Sequence, residues 1–411
     1  MNSDPGFYTE GQFALIRRRF FQQASGVVAL VLLVLFLLIG LFAPFLSPHD
    51  PSIRGANPDY KRGAPQGLHF RDENGFSWRP FTYTYTRSGG SIDLRALAGA
   101  GGSNLDALDA LTRSGALNSS EQGRYTVDTG QRRYIEWFVR SWEYDIVDLS
   151  LPAHWFGAAE PWRLRVSSDL HLFGVEGGIH LFGTDEDGKD VFSRTLHAIW
   201  VTVSIAFLAI AIKLVVSLLV GGVSGYFGGR VDAVLMSITE AIRVVPQIPL
   251  YLAFAVAIAQ LDLTSVQRYF LIALVLGALD FGALGRRLRT HVLAERNQDY
   301  VLAARLSGAS DARIIGRHLI PSFASYIIID TLINLPYMIL AETSLSFLGL
   351  GLTDPVNSLG VLLQKAQDPE IQQSMPWQYL PVAVFVGLIL TFVVAGDALR
   401  DAADPYRERR R

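Results

Sequence analysis

The hydrophobic positions of this chain fall into long uninterrupted runs that polar segments separate. A helix needs about 20 apolar residues to cross a bilayer, and six runs approach or exceed that length: 25–46, 198–222, 233–259, 269–285, 325–347 and 379–396. The pattern predicts an all-α polytopic membrane protein with six transmembrane helices.

The first run has two interpretations, because a basic segment containing Arg17, Arg18 and Arg19 precedes it. A secretory signal has an apolar region of about 7–15 residues and ends at a small-residue cleavage site. The run 25–46 is longer and ends in APFLSP, which favours a retained span over a signal peptide. The three arginines then hold the N-terminus in the cytoplasm by the positive-inside rule.

The polar segments complete the predicted organisation. Between the first two runs, FTYTYTR (81–87) and RRYIEWFVRSW (132–142) have strand or short-helix length, so we predict an extracytoplasmic α+β insertion. The loop 285–321 holds seven Arg against three acidic residues, and the tail is also basic, so both face the cytoplasm. The predicted segments are 1–24 (cytoplasmic), 25–47 (first span), 48–194 (insertion), 195–400 (transmembrane core with a loop at 286–321) and 401–411 (cytoplasmic tail).

Composition excludes functions and assigns none. A net charge of −2 over 411 residues gives no general preference for nucleic acid, and the lack of cysteine excludes disulfides and thiol chemistry. The histidines of the insertion are scattered, so no metal site is predicted. No acid–base pair or nucleophile–His arrangement favours an enzyme.

The stretch GTDEDGKDVFSR (183–194) has the spacing of a phosphate-binding loop. Such a loop surrounds phosphate with backbone N–H groups and one Lys, and it holds magnesium through a Ser/Thr hydroxyl. Here three carboxylates occupy the cradle, Asp190 replaces the Ser/Thr, and the segment lies outside the cell. An EF-hand calcium loop requires Glu at its twelfth position, where Leu196 stands. We favour an acidic turn that caps a helix beginning near Val191.

A second stretch, DYVLAARLSGASDARIIGRHLIPS (299–322), predicts two helices in the cytoplasmic loop. The first is broken at Gly308, and the second has Ser310 as a candidate N-cap and ends at Pro321. The small residues Ala303, Ala304 and Gly308 lie on one side, where they permit close approach by another surface. The alternative is a surface hairpin that only links spans.

This stretch resembles the signature loop of permease subunits of ATP-binding-cassette importers, in which E-A-A is followed by G and then by I-x-L-P. Ala303, Ala304, Gly308 and Pro321 match, whereas Leu302 replaces the Glu and His318-Leu319-Ile320 replaces I-x-L. The dipeptide/oligopeptide subfamily resembles the chain further in GTDEDGKDVFSR, GYFGGRVD (225–232), AETSLSFLGLGLTDP (341–355) and GDALRDAADP (396–405). In that subfamily's outer-face motif the matching residues are Gly183, Thr184, Asp185, Gly188, Asp190, Ser193 and Arg194.

The resemblance implies a type I ABC importer permease fold in a bacterial inner membrane. The chain would pair with a homologous second permease, two ATP-binding subunits and an extracytoplasmic solute-binding protein, within membrane lipid and without nucleic acid. It would bind no cofactor itself, and ATP and Mg would belong to the partner subunits. The residues expected to couple it to an ATPase subunit are Ala303, Ala304, Arg305, Gly308, Asp311, Arg313, Arg317 and Pro321.

Several charges lie inside the predicted spans, where an ionised group is costly and usually faces a cavity or a partner. We predict that Lys213 faces the translocation pathway or pairs with a carboxylate of the second permease. A local i,i+3 ion pair is the alternative for Glu240 and Arg243. The candidate pathway residues are Lys213, Glu240, Arg243, Asp330 and Glu342.

The expected function is therefore that of a permease half for peptides or similar solutes, without an enzymatic activity of its own. Related permeases carry oligosaccharides, metal chelates or opines, so the substrate stays open. A membrane receptor or scaffold with a ligand-binding outer domain is the alternative of a different class.

Overall fold

The computed structural model describes residues 12–52, 60–73, 75–88, 124–151 and 162–403. The chain divides into two compact units. The helical unit comprises Met1–Leu41, Ala198–Gln364 and Pro381–Arg411, and the strand unit comprises Phe42–His197 and Lys365–Leu380.

Helices account for most of the described residues. In chain order they are α1 (Gln12–Phe21), α2 (Ala24–Leu41), α3 (Ala43–Leu46), α4 (Val191–Phe227), α5 (Gly229–Val244), α6 (Gln247–Ala259), α7 (Ser265–Leu279), α8 (Gly282–Glu295), α9 (Asp299–Leu306), α10 (Asp311–Ile314), α11 (Ile320–Ser322), α12 (Ala324–Phe347), α13 (Leu359–Ala366), α14 (Pro369–Ser374) and α15 (Leu380–Ala403). A π-helical turn, Ile315–Leu319, follows α10, and a 3₁₀ turn, Pro376–Tyr379, precedes α15.

Among the described residues, four helices are long and apolar enough to cross a membrane: Ala24–Leu41, Val191–Phe227, Ala324–Phe347 and Pro376–Ala403. Two bent pairs raise the number to six if each pair is one span, with bends of 88° between α5 and α6 and 45° between α7 and α8. The predicted run 233–259 is therefore not one continuous helix. It breaks before Pro246, which has no backbone N–H to continue the helical hydrogen bonds.

The core of the helical unit is built where small residues let helices approach closely. Ile205 and Ala209 of α4, Leu276 of α7 and Ile339 of α12 are fully buried in one cluster. A Cβ atom on Gly277 would lie 2.3 Å from the carbonyl oxygen of Ala209. The absence of a side chain at Gly277 therefore sets the separation of α4 and α7.

The strand unit contains two antiparallel sheets between the first two candidate spans. Strands β1 (His69–Asp72), β2 (Gly75–Ser88) and β3 (Arg124–Tyr134) form one sheet, and β4 (Glu136–Leu151) and β5 (Trp162–Gly174) form the other. His69 pairs with Phe81 and Val139 with His171. The aromatic and β-branched run FTYTYTR forms the second half of β2, as such residues favour strands.

Candidate functional sites

The outer-face motif forms a closed turn in the strand unit, directly before α4. The Thr184 hydroxyl donates to the Tyr60 carbonyl at 2.6 Å and accepts from the Gly63 amide at 2.8 Å. Gly183 has φ +69°, and a Cβ there would lie 2.5 Å from the Gly63 carbonyl oxygen. Only glycine therefore fits at Gly183. Trp377 donates its indole N–H to the Thr184 carbonyl at 3.0 Å.

The Asp185 carboxylate holds the turn together from inside. It accepts from the amides of Asp187 at 3.0 Å and Lys189 at 2.9 Å. Its other oxygen pairs with the fully buried Arg194 at 2.5 Å and lies 3.5 Å from Lys365 Nζ. The amides that a phosphate would need are thus bonded within the turn, and the carboxylate already has cationic partners.

Asp190 caps α4, as the sequence predicts, and ties it to a buried histidine. Its carboxylate accepts from the Ser193 amide at 2.7 Å and from His180 Nδ1 at 3.0 Å. Burial alone would raise the pKa of Asp190, but the hydrogen bonds from His180 and Ser193 outweigh burial and lower it. Gly188 completes the turn at φ +81°. The helix begins at Val191, so the interpretation as a capping turn is confirmed.

His49 extends this buried group. Its ring stacks on His180 with centroids 4.6 Å apart, and its Nε2 lies 2.9 Å from the Ile179 carbonyl oxygen. Burial lowers the pKa of His49 from 6.5 to about 4. The neutral imidazole is therefore the form that this interior accepts.

In the helical unit, the loop 299–321 folds as the sequence predicts up to its second helix. Helix α9 ends at Leu306, Gly308 follows at φ +79°, and α10 begins at Asp311. Ser310 occupies the N-cap position without a side-chain capping bond. Pro321 lies inside α11 and does not end the helical segment at that point.

One face of this loop packs on its own chain. Val301, Ile314 and Leu319 are buried against Leu288 and Val292 of α8. Ala304 also packs against this cluster, so the structure places it on the inner face and not among the residues free for a partner.

The opposite face is exposed. Leu306 is 90% exposed, and no atom lies within 4 Å of a Cβ built on Gly308. Six other predicted coupling residues are also exposed: Ala303, Arg305, Asp311, Arg313, Arg317 and Pro321. The sequence interpretation did not single out Leu306, because a lone apolar residue in a loop carries no signal without its exposure.

Two of the predicted coupling residues are held by the end of α4. The Tyr226 hydroxyl donates to Asp311 Oδ1 at 2.6 Å, and Arg305 Nη2 donates to the same hydroxyl at 3.2 Å. The Arg305 guanidinium lies 5.6 Å from the Tyr226 ring centroid, within cation–π range. Asp232 pairs with Arg289 of α8 at 2.5 Å. Tyr226 and Asp232 both belong to GYFGGRVD, so this motif fixes the loop to the spans.

Lys213 pairs within its own chain. Its Nζ lies 2.6 Å from Asp280 Oδ2, and Lys213 is 3% exposed. Gln247 Nε2 donates to the other oxygen of Asp280 at 2.8 Å. The α7–α8 bend thus supplies a carboxylate for Lys213 from this chain, whereas a place in the translocation pathway or a pairing with the second permease stays a prediction.

The other predicted pathway charges also have local partners. Glu240 lies 3.7 Å from Arg243 and 2.7 Å from Arg286, which supports the i,i+3 alternative with one further arginine. Asp330 pairs with Arg287 at 2.9 Å.

Glu342 is a buried carboxyl on α12. It accepts from Ser346 Oγ at 2.8 Å and lies 3.3 Å from the Thr343 hydroxyl oxygen. Both hydroxyls belong to the AETSLSF segment. Glu342 therefore has these two polar partners on its own helix. It is 0% exposed and does not reach a surface of the chain.

A cavity of about 490 Å³ lies where α6, the α7–α8 bend and α12 meet. Asp280, Gln247, Asn334 and Ser344 give it polar groups among apolar walls. Ile248 on its rim is 66% exposed. Of the predicted pathway residues, none lines this cavity, although Lys213 reaches it through Asp280.

The sequence of this chain is similar to those of known proteins. Residues 217–409 match the family described as binding-protein-dependent transport system inner membrane component, and residues 11–65 match the N-terminal transmembrane domain of oligopeptide transport permease C. The chain is 32% identical over 243 residues to the oligopeptide transport system permease protein OppC of Lactococcus lactis subsp. lactis, covering 59% of this chain and 80% of the relative. It is 35% identical over 231 residues to the dipeptide transport system permease protein DppC of Bacillus subtilis, covering 56% and 70%.

The apolar spans, the broken helices and the polar groups between them define a helical membrane permease. With the similarity to OppC and DppC over most of their length, the chain belongs to the family of binding-protein-dependent transport system inner membrane components.

Proposed function

We propose that this chain forms half of the translocation pathway of an ATP-driven importer for dipeptides or oligopeptides. The named relatives are oligopeptide and dipeptide permeases. The cavity between α6, the α7–α8 bend and α12 is open on one side. A translocation pathway that a second, homologous permease completes should have such an open side. In a type I importer fold with both termini in the cytoplasm, the basic N-terminal segment, the loop 285–321 and the basic tail all lie on the cytoplasmic side, as the positive-inside rule requires.

Coupling to a separate ATP-binding subunit rests on the exposed face of the loop 299–321. Leu306 (90% exposed) and Leu302 (42% exposed) lie one helical turn apart on α9 and form an exposed apolar patch, which marks a protein contact when polar residues surround it. Arg313 and Arg317 lie on the same loop, and neither makes an ion pair within the described part of the chain. We infer that Leu306 anchors the loop in the partner and that these arginines meet its acidic groups, while ATP and Mg stay in that partner.

Co-purification tests this assignment. Leu306→Ser should reduce recovery of the ATP-binding subunits with the tagged permease about tenfold, as loss of an interface anchor does. Leu261→Ser is the matched control, because Leu261 is also exposed (51%) and lies in the connection after α6. Equal recovery with both variants would rule out Leu306 as an anchor.

The substrate class needs a separate measurement. Peptides retained by the cognate solute-binding protein, identified by mass spectrometry, should stimulate ATP hydrolysis by the reconstituted complex. Stimulation by oligosaccharides and not by peptides would reject the substrate assignment and leave the permease role intact.

A further inference from the structure

An apolar groove of about 320 Å³ lies in the helical unit, bounded by α1, α2, α12 and α15. We propose that it holds one acyl chain of an anionic phospholipid whose phosphate binds Arg17. Of the described residues that line it, Arg17 and Ser325 alone are polar. The apolar lining includes Phe20, Leu33, Ile328, Leu332, Phe392 and Leu399.

The walls of the groove are fixed by close packing. A Cβ on Gly26 of α2 would lie 2.8 Å from Ala398 Cβ of α15 and 3.3 Å from the Phe20 ring. Helix α1 is thereby held against the crossing of α2 and α15. Phe392 is 2% exposed and belongs to the main core, whereas Ile328 is 47% exposed at the groove opening. The shape is therefore preformed, with one open side.

Charge at the groove selects an anionic headgroup. Helix α1 contains Arg17, Arg18 and Arg19 and no acidic residue. Arg17 lines the groove, is exposed, and forms no ion pair with the residues that the structure describes. Basic residues beside a span attract anionic lipid, and a basic helix with aromatic residues suits the membrane interface.

Hydrogen-bonding capacity separates an acyl chain from a peptide segment. Every non-proline residue of a buried peptide brings an N–H and a C=O that require partners. Apart from Arg17, the groove offers the Ser325 hydroxyl as its side-chain partner among the described lining residues. A hydrocarbon chain needs none. A volume of about 320 Å³ is at the lower end of ligand pockets.

Native mass spectrometry of the full-length chain, purified with the subunits that accompany it, tests the site. Phosphatidylglycerol and phosphatidylcholine with identical acyl chains are added separately. We expect one retained phosphatidylglycerol with about fivefold preference, and Arg17→Gln should remove that preference. Ile328→Trp should fill the groove and abolish retention of either lipid.

Matched variants decide between the outcomes. Arg18→Gln removes a neighbouring exposed arginine that does not line the groove, and Leu390→Trp adds a tryptophan on α15 at an exposed position outside the groove. Both should retain the lipid. Equal binding of phosphatidylglycerol and phosphatidylcholine would contradict the site. An equal loss of the phosphatidylglycerol preference in Arg18→Gln and Arg17→Gln would do so too, because it would show that the arginines of α1 attract anionic lipid without a defined site. Subunit loss in Ile328→Trp with lipid retained would show that the groove is a protein interface.

Discussion

Asp280 is the side chain on which two helix breaks converge. It follows α7, accepts from Gln247 at the start of α6, and pairs with the buried Lys213 of α4. Breaking a buried ion pair by removing one partner costs about 3–5 kcal/mol, because the other charge stays buried without compensation.

Lys213→Met should therefore lower the free energy of unfolding, by less than the roughly 3–5 kcal/mol of a fully buried pair, because the Asp280 side chain is 17% exposed, lines the cavity and keeps its hydrogen bond from Gln247. The double variant Lys213→Met with Asp280→Asn should recover most of that loss, because neither charge remains. Thermal unfolding in detergent measures both effects, and uptake into reconstituted vesicles shows whether the pair also serves transport. Additive losses in the double variant would contradict the pairing.

His49 makes a separate prediction about pH. The pKa of His49 is about 4 in the folded chain, whereas a histidine in an unfolded chain has a pKa of 6.5. Between pH 4 and pH 6.5 the unfolded chain therefore binds more protons than the folded chain. The stability that neutral His49 contributes is complete above pH 6.5 and is lost as pH falls toward 4, by about 3 kcal/mol at most.

Thermal unfolding of the wild type and His49→Gln between pH 7 and 4 measures this contribution. The wild type should lose about 3 kcal/mol more than the variant across that window. Asp190 does not contribute in this pH window. Its pKa is lowered from 3.8, so the stability that its carboxylate provides is lost only below pH 3.8. Parallel pH profiles for the two proteins would exclude His49 as the cause.

The contacts of single residues differ in how far the sequence could predict them. The role of Asp190 as a helix cap was predictable, because the Ser193 amide that it accepts from lies three residues along the chain. The pairing of Lys213 with Asp280 was not, because 67 positions separate them and the bend that joins them depends on tertiary packing. The motif GYFGGRVD was recognised in the sequence, but the role of its Tyr226 was not, because that role depends on the contact with Asp311, 85 positions away.

At the level of elements, the separation of α4 and α7 depends on Gly277. Gly277→Ala should destabilise the protein by about 1–3 kcal/mol, because the added methyl meets the Ala209 carbonyl oxygen. Gly316→Ala is the control, since nothing lies within 4 Å of its added Cβ. Melting temperatures in detergent compare the two variants. An unchanged melting temperature for Gly277→Ala would show that the helices can move apart freely.

The elements themselves were predictable to different extents. Hydropathy located the apolar runs, but the run 233–259 was predicted as one span and breaks into α5 and α6 before Pro246. The extension of the 269–285 run into α8 was missed, because Gly282–Glu295 carries arginines that resemble a loop in sequence. In the structure Leu284, Leu288 and Val292 bury one face of α8, a helical periodicity that the charge had obscured.

For the whole molecule, the strand unit is the part that most distinguishes this chain from a minimal set of spans. Its sheets expose Trp78 (90%), Trp137 (59%) and Phe138 (62%), more aromatic surface than a domain without a partner requires. We expect this surface to dock the solute-binding protein. The outer turn, in contrast, depends on Tyr60, Gly63 and the residues after Ile179.

A deletion can remove the sheets and spare the turn. Gln66 N donates to the His180 carbonyl at 2.9 Å, and His180 N donates to Gln66 Oε1 at 3.0 Å. A short Gly-Ser linker can therefore replace residues 68–177. We expect this variant to retain its ATP-binding subunits and to lose binding-protein docking in a pull-down assay.

The point variant Trp78→Ser tests the same surface without removing a strand, with Trp200→Ser as the control for an exposed tryptophan of the helical unit (45%). Docking should weaken at least about tenfold in the first variant, as for an aromatic interface anchor, and not in the second. Normal docking in both the deletion and Trp78→Ser would exclude the sheets as the docking surface. Loss of the ATP-binding subunits from the deletion variant would instead show that the sheets support assembly of the permease, because the loop 299–321 lies outside the deleted residues.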